Sequence, residues 1–245
     1  TAVGSYDGVT PGSAFRVAGS SPRVIHITST AYGPWNQADR MQFVHDDLSG
    51  MDNMVIQVRV VDFVGQGRRW ATAGLVIRES MDPGARYVGL AVSDSYGALL
   101  IGRYTTDSSV STNHGVVVTG DEDPPIWFRI VKSGDLFRFF TSVDGTEWAQ
   151  FEEPKVLETM DTTSMVGGLF VGSYSSSYGH MTEAAFDGYT YEAVDFPTAA
   201  PTTTTAPTTT TGVVSADIGD VGSYERNRGN ATYAANRDVY FVTGG

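Results

Sequence analysis

Short apolar runs with a repeat of two residues, separated by turns, limit most strongly how this chain can fold. In the run 53–64, every even-numbered position from Met54 to Val60 is apolar, whereas the odd-numbered positions include Gln57 and Arg59. Because successive side chains of a β-strand point to opposite faces, this pattern predicts a strand with one face in a core. Roughly a dozen such runs occur, with turns about every 8–12 residues, and none has a sustained helical period. The sequence therefore predicts an all-β sandwich.

Two tight turns predict how neighbouring runs pair. The runs 126–132 and 136–143 are joined at Ser133-Gly134-Asp135, and Asp144-Gly145 turns the chain once more. Glycine and aspartate favour the backbone conformations of hairpin turns. The two runs are therefore predicted to form an antiparallel hairpin.

Four blocks of sequence, taken in order, resemble a known family. They are GPWNQADRMQFVHDDLSG, ATAGLVIRES, IWFRIVKSGDLFRFFTSVDGTEW, and VGGLFVGS with the AAFDGYTYE that follows it. From Ala14 to Glu192 the chain resembles the concanavalin A/laminin-G-like jelly rolls, most closely the family named for "regulation of enolase" proteins. The resemblance implies an antiparallel jelly-roll sandwich with a curved face. It also implies a noncatalytic module attached to a secreted or surface protein.

A threonine- and proline-rich segment at 196–212, FPTAAPTTTTAPTTTTG, divides the chain. This composition buries little apolar area, favours an extended polyproline-like conformation and is typical of O-glycosylated stalks. The predicted organisation is a jelly-roll domain at 1–195, this extended linker, and a short β tail at 213–245. Asn230 begins an Asn-Ala-Thr sequon for N-glycosylation. The predicted O-glycosylation sites are Thr202, Thr203, Thr204, Thr205, Thr208, Thr209, Thr210 and Thr211.

The tail resembles the beginning of the domain. The letters VGSY occur from Val3 and again from Val221, each time followed by a strand-like run that ends in glycine. This self-similarity is typical of tandem modules, so the tail is predicted to be a partial repeat of the N-terminal strands. Its alternating Tyr240 and Val242 are predicted to add as a strand to a neighbouring copy, head to tail. A truncated second domain is the alternative.

Charge and cysteine content narrow the range of partners. The formal net charge is −12, so the chain would be repelled by a phosphate backbone or an anionic membrane surface. The sequence contains no cysteine, which excludes disulfides and thiol chemistry. No apolar run approaches the roughly 18 residues of a membrane span. With the linker and the sequon, these features predict an extracellular or cell-surface protein that binds no nucleic acid and inserts in no membrane.

The sequence lacks the motifs of hydrolytic enzymes, so no enzymatic activity is predicted. A jelly-roll glycosidase needs carboxylates along one strand at ExDxE or ExDxxE spacing, and no such run occurs. The acidic clusters at 121–123 and 152–153 lie beside prolines in predicted loops. The four histidines have neither HxxxH nor HxH spacing, and no GxSxG motif accompanies them.

An oxygen-rich turn is the candidate metal site. Asp46, Asp47 and Asp52 lie around a glycine, where carboxylates at close range could serve as hard ligands for calcium. The alternative is a surface turn whose side chains cap its own backbone. Calcium is the only cofactor that the sequence suggests.

Aromatic residues in two loops are the candidate carbohydrate site. Tyr32 and Trp35 lie in a loop with glycine and proline, and Tyr174 and Tyr178 lie in a second loop. Flat rings stack on the apolar faces of pyranoses, while fixed polar groups bind the hydroxyls. Packing of the rings at the rim of the core is the alternative.

Arginines in the middle of strands are candidates for the polar part of that site. Arg78 and Arg129 would line it if they shared the concave face of one sheet. A solvated cross-strand ladder of paired charges is the alternative. The other tryptophans, Trp70, Trp127 and Trp148, are assigned to packing.

Two functions remain open at this point. The repeat and the linker favour a noncatalytic structural module of an extracellular, glycosylated filament or adhesin built from tandem copies. The aromatic loops favour a carbohydrate-binding module of a secreted protein instead.

Overall fold

β-strands make up all the regular structure in the part of the chain that the computed structural model describes, which is residues 2–3, 12–114, 124–174, 180–196, 230–234 and 239–243. In these ranges, no helix is long and apolar enough to cross a membrane.

The chain divides into two compact units, Thr1–Pro197 and Thr198–Gly245. The strands of the first unit are β1 (Ala2–Val3), β2 (Gly12–Arg16), β3 (Ile25–Ser29), β4 (Met41–Asp47), β5 (Asn53–Val64), β6 (Thr72–Arg78), β7 (Tyr87–Ser93), β8 (Gly97–Arg103), β9 (Ser111–His114), β10 (Ile126–Ser133), β11 (Leu136–Ser142), β12 (Ala149–Gln150), β13 (Lys155–Val156), β14 (Val166–Gly172) and β15 (Thr182–Ala193).

Two antiparallel sheets form the first unit. The seven-stranded sheet has the strand order β1-β4-β14-β6-β7-β8-β9. The eight-stranded sheet has the order β12-β11-β10-β5-β15-β3-β2, and β13 also pairs with β11. Ser133 lies opposite Leu136 in the β10–β11 ladder, so the predicted hairpin is confirmed. The predicted all-β antiparallel jelly-roll sandwich is confirmed as well.

The inner faces of the two sheets enclose one apolar core. On β5, the even-numbered side chains from Met54 to Val60 are fully buried, whereas Gln57 and Arg59 are only half-buried. Leu75 of the opposite sheet packs in the same core. Burying a side chain of this size contributes about 1.5–3 kcal/mol, and a one-residue slip would turn the whole set outward. The two-residue repeat therefore fixes which face of β5 points inward.

The outer face of the seven-stranded sheet is also covered. β6, β7 and β14 are buried at every position rather than at alternate positions. A second apolar cluster on this outer face includes Phe43, Tyr87, Leu99 and Phe170, and Trp35 of the loop between β3 and β4 packs into it. This loop therefore lies against the sheet, where it positions the candidate site.

A buried charged cluster fixes the same loop to the sheet. Asp39 accepts hydrogen bonds from Arg78 and Arg103, and all three side chains are 0% exposed. Arg103 also donates to the backbone oxygen of Asn36 at 2.9 Å. Because buried charges are costly unless they are paired and hydrogen-bonded, the loop can fold back only with this carboxylate between the two arginines.

The second unit contains a β-hairpin. β16 (Asn230–Ala234) pairs antiparallel with β17 (Val239–Thr243), and Ala231 lies opposite Val242 in the register. Tyr240 also belongs to β17. The linker threonines lie outside the described residues, as do most of the two VGSY segments. The domain boundaries, the partial repeat and the glycosylation sites therefore stay predictions.

Candidate functional site

An open pocket of about 330 Å³ lies on the outer face of the seven-stranded sheet, beside the second apolar cluster. Its walls come from the loop after β3, the turn before β6, the segment that leads into β9 and the residues after β14. The lining residues are Tyr32, Trp35, Asn36, Trp70, Ser109, Val110, Thr112 and Tyr174.

Backbone hydrogen bonds hold two of these walls side by side. The amide of Tyr174 donates to the carbonyl oxygen of Tyr32 at 3.0 Å, and the amide of Ser173 donates to that of Ala31 at 2.6 Å. The Ser173 hydroxyl donates to the same Ala31 oxygen, although the two residues are 142 positions apart in the sequence. These bonds bring the rings of both loops to one place.

The four rings of the pocket pack against one another. The ring centroids of Tyr32 and Tyr174 are 4.8 Å apart, and those of Trp35 and Trp70 are 5.3 Å apart, edge to face. The indole nitrogen of Trp35 donates to the backbone oxygen of Trp70 at 3.0 Å. Trp35 is 6% exposed and forms the floor, whereas the other three rings are half-buried. The pocket therefore offers fixed aromatic surface to a ligand.

The polar groups of the pocket are neutral. Among the described lining residues there is no carboxylate, and the side-chain polar groups are hydroxyls, indole N–H groups and the Asn36 amide. Burial, followed by the hydrogen bond with Tyr174, raises the pKa of Tyr32 to about 12. The Tyr32 hydroxyl is therefore protonated at neutral pH, where it can both donate and accept a hydrogen bond.

Three of the four aromatic residues predicted for the carbohydrate site line this one pocket: Tyr32, Trp35 and Tyr174. The fourth, Tyr178, lies outside the described residues. Trp70, which the sequence assigns to packing, packs against the second apolar cluster and lines the pocket as well. One feature of the sequence could have indicated a role for Trp70 in the pocket. Trp70 lies between a turn that contains Gly65 and Gly67 and the start of β6, and aromatic residues in such loops are candidates for ligand binding.

The two predicted arginines lie elsewhere and do not share a face. Arg78 is 0% exposed and is bonded to Asp39 under the covering loop, which removes it from the carbohydrate site and corrects the prediction. Arg129 lies on β10, in the other sheet. Alternation along a strand cannot distinguish an arginine that faces solvent from one that lies beneath a loop.

Arg129 belongs to a second aromatic patch, on the outer face of the eight-stranded sheet. Its guanidinium carbon lies 3.7 Å from the ring centroid of Trp148, and it donates twice to the Gln57 side-chain oxygen, at 3.0 and 2.7 Å. The ring of Trp127 lies 6.4 Å from that of Trp148 and 5.6 Å from the guanidinium of Arg59. Both tryptophans are therefore engaged by neighbouring side chains of their own sheet.

The acidic residues predicted for calcium do not come together as a ligand set. Asp46 and Asp47 are consecutive in β4, so their side chains point to opposite faces. Asp47 accepts a hydrogen bond from the amide of Ser49 at 2.9 Å, as an aspartate that caps its own turn does, and Asp52 is exposed in the turn that follows. Within the described ranges, no group of three or more histidine, aspartate or glutamate side chains is placed to hold a metal ion.

Comparison with known proteins supports the fold. No protein-family model and no curated protein matches the chain. A functionally unknown protein from Saccharomyces cerevisiae is similar in structure, with a TM-score of 0.52 and 19% identity over 76% of this chain and 95% of that one. The GH43 protein BlXynB from Bacillus licheniformis is also similar, with a TM-score of 0.48 and 17% identity over 69% of this chain and 33% of that one. So is the exoplasmic/lumenal domain of VIP36 in a Ca²⁺/Man3GlcNAc-bound form, with a TM-score of 0.46 and 7% identity over 78% of this chain and 85% of that one. At these identities the likeness concerns the fold alone.

Proposed function

We propose that the chain is a noncatalytic module that binds carbohydrate in the pocket of Tyr32, Trp35, Trp70 and Tyr174. The observation that carries the proposal is the convergence of four rings with an amide and several hydroxyls in one open pocket of about 330 Å³. Pockets of this size that combine aromatic side chains with a few fixed polar groups are typical of small-ligand sites. The rings stack on the apolar face of a pyranose, and the neutral polar groups bind its hydroxyls.

The open form of the pocket sets the expected affinity. A stacked sugar removes apolar area from water at about 25 cal/mol per Å². Association itself costs an estimated 4–15 kcal/mol in lost freedom, so only the part of the stacking and hydrogen-bond energy that exceeds this cost appears as affinity. We therefore expect dissociation constants of roughly micromolar to millimolar, with tighter binding where copies are linked.

Titration of the full chain with a panel of neutral and acidic oligosaccharides tests the proposal. Tryptophan emission and calorimetry report binding, because two indoles line the pocket. Trp70→Ala should weaken binding about tenfold or more, since the half-buried ring supplies a stacking face. Trp148→Ala is the matched control, because it removes an indole from the other sheet and should leave affinity unchanged. Absence of binding to every oligosaccharide, or an equal loss in both variants, would refute the proposal.

A second role, as a unit of a head-to-tail filament or adhesin, has support from the tail. A two-stranded hairpin is marginally stable alone in water, so the β16–β17 hairpin should gain by pairing with the sheet edge of a neighbouring copy. The candidate edge is β2, the last described strand of the eight-stranded sheet. Phe15 on β2 is 53% exposed, and a pocket of about 340 Å³ lies beside it.

Secretion and glycosylation complete the proposal. The Thr/Pro-rich linker has the composition of an O-glycosylated stalk, and the sequon at Asn230 provides one N-glycosylation site. Glycans on the linker would keep it extended and hold the pocket away from a surface. Membership of the "regulation of enolase" family is part of this proposal and rests on the four sequence blocks.

A further inference from the structure

The rim of the pocket continues outward beyond Trp70. The ring centroids of Trp70 and Tyr96 are 4.4 Å apart, and the guanidinium carbon of Arg69 lies 5.7 Å from the centroid of the Tyr96 ring. The amide of Tyr96 donates to the hydroxyl of Ser93 at 2.9 Å, which fixes the turn that carries the ring. Trp70, Tyr96 and Arg69 therefore form a row that leads from the pocket to solvent, here named the rim row.

Arg69 is the cation of the rim row, and no acidic side chain of the described residues lies within 4.0 Å of it. The side chain of Asp94, in the turn after β7, lies against Gly65. Four other described arginines do have carboxylate partners within this distance: Arg59 with Asp187, Arg78 and Arg103 with Asp39, and Arg86 with Glu79.

The charge balance of the chain makes this arrangement informative. The sequence has 28 acidic and 16 basic side chains, so a surface patch that carries an arginine and no carboxylate partner differs in sign of charge from the chain as a whole. Arg69 is exposed, and the pocket that its row leads into has no carboxylate among its described lining residues. The rim row is therefore a locally cationic aromatic surface on an acidic protein, and an anion is the complementary ligand.

We infer that the pocket binds a carboxylate-bearing glycan, with a sugar ring on Trp70 and the carboxylate of the same or the next sugar at Arg69. This inference rests on the proposed carbohydrate binding and names its ligand class. A uronic acid unit combines an apolar ring face with a planar carboxylate, which the guanidinium fork binds through two parallel hydrogen bonds.

A cationic ligand is the chemical alternative for an aromatic pocket. Quaternary ammonium groups bind inside cages of tryptophan and tyrosine through the negative faces of the rings. Here the guanidinium of Arg69 already lies over the Tyr96 ring, and the described lining has no carboxylate to balance a bound cation. The charges of the rim row therefore favour a carboxylate over an ammonium group.

The test compares tetrasaccharides of galacturonic, mannuronic and glucuronic acid with their neutral methyl esters, using the full chain and calorimetry. The ester keeps the ring and removes the charge, at the cost of one added methyl group. We expect at least one acid to bind roughly fivefold or more tightly than its ester, with an advantage that shrinks at high salt. Arg69→Gln should abolish the advantage and Arg69→Lys should keep part of it. Arg138→Gln, which removes the same charge from the other sheet, should leave it unchanged.

The outcomes separate this inference from the proposed function. Equal binding of acid and ester, or an acid advantage that survives in Arg69→Gln, would overturn the inference and leave carbohydrate binding in place. Binding of choline in preference to every tetrasaccharide would overturn both, as would no binding of any sugar. Loss of the acid advantage in Arg69→Gln, with ester binding unchanged, supports the inference, because a misfolded pocket would lose both ligands.

Discussion

Asp39 is the carboxylate between two guanidinium groups that are both fully buried. Arg78 also donates to the backbone oxygen of Asp82 at 2.8 Å, and Arg103 donates to that of Ser108 at 2.9 Å. The excess positive charge is therefore solvated by backbone oxygens of surrounding loops. One carboxylate thus ties the loop that carries Trp35 to the loops after β6 and β8.

Asp39→Asn should destabilise the fold by about 3–5 kcal/mol, because two arginines would stay buried without a compensating charge. Chemical denaturation followed by tryptophan emission measures the loss. Glu183→Gln is the control, because the Glu183 side chain is 37% exposed and its Oε2 lies 3.7 Å from Nε2 of His26. An exposed pair of this kind contributes below about 1 kcal/mol to the free energy of unfolding. Similar losses in the two variants would show that the Asp39 cluster is not important for stability.

At the residue scale, the type of side chain predicted part of the candidate site. Aromatic residues in polar loops predict a ligand surface, and Tyr32, Trp35 and Tyr174 do lie together. The prediction for Arg78 is wrong, and the packing role predicted for Trp70 leaves out its place in the pocket, because the surroundings of both residues depend on a loop that folds over the sheet. Asp39, the residue that holds this loop, is 39 positions from Arg78 and 64 from Arg103. No local pattern encodes contacts at such separations.

At the scale of the strands, the two-residue alternation of apolar and polar side chains predicted the strands and their inward faces well where only one face is buried. β5 and the β10–β11 hairpin follow the two-residue repeat, because one side of each strand faces the core and the other is half-exposed. β6, β7 and β14 are buried on both faces, so their sequences are apolar at nearly every position. A run of this kind predicts a strand but cannot indicate what covers its second face. The covering loop, and with it the pocket, had to come from the structure.

The pairing register of β15 with β5 shifts between Asp187 and Thr190, and in this irregular stretch the strand closely approaches an aromatic ring. Gly188 has a φ of +60°, and a Cβ there would lie 2.3 Å from the ring of Trp127. Gly188→Ala should cost about 1–2 kcal/mol in backbone strain and about 1–3 kcal/mol more from the clash. Gly50→Ala is the matched control, because Gly50 has a φ of +76° with nothing within 4 Å of a Cβ. Equal losses in denaturant unfolding would show that the ring moves aside freely, and a red shift of tryptophan emission would report that movement.

For the whole molecule, the open question is whether the tail joins copies together. Among the described strands, β16 pairs only with β17, and β2 is the last strand of the eight-stranded sheet, so each element has backbone groups without a described strand partner. Two or three apolar anchors at about 1.5–3 kcal/mol each barely offset an association cost of about 4–15 kcal/mol. Assembly of separate chains is therefore expected only at high concentration. In tandem copies, the linker would supply a roughly millimolar effective concentration and make the contact persistent.

Sedimentation of the full chain at rising concentration, beside a chain that ends at residue 197, tests this assembly. The full chain should gain mass with concentration, whereas the shorter chain, which retains the whole first compact unit, should stay monomeric. Val242→Asp should shift the full chain back towards monomer, because burying an uncompensated carboxylate in a strand contact is costly. Thr243→Asp adds the same charge one position along the strand and controls for general repulsion in a chain of charge −12. Identical mass distributions for the two lengths would leave the tail without a role in assembly and the pocket as the functional feature of the module.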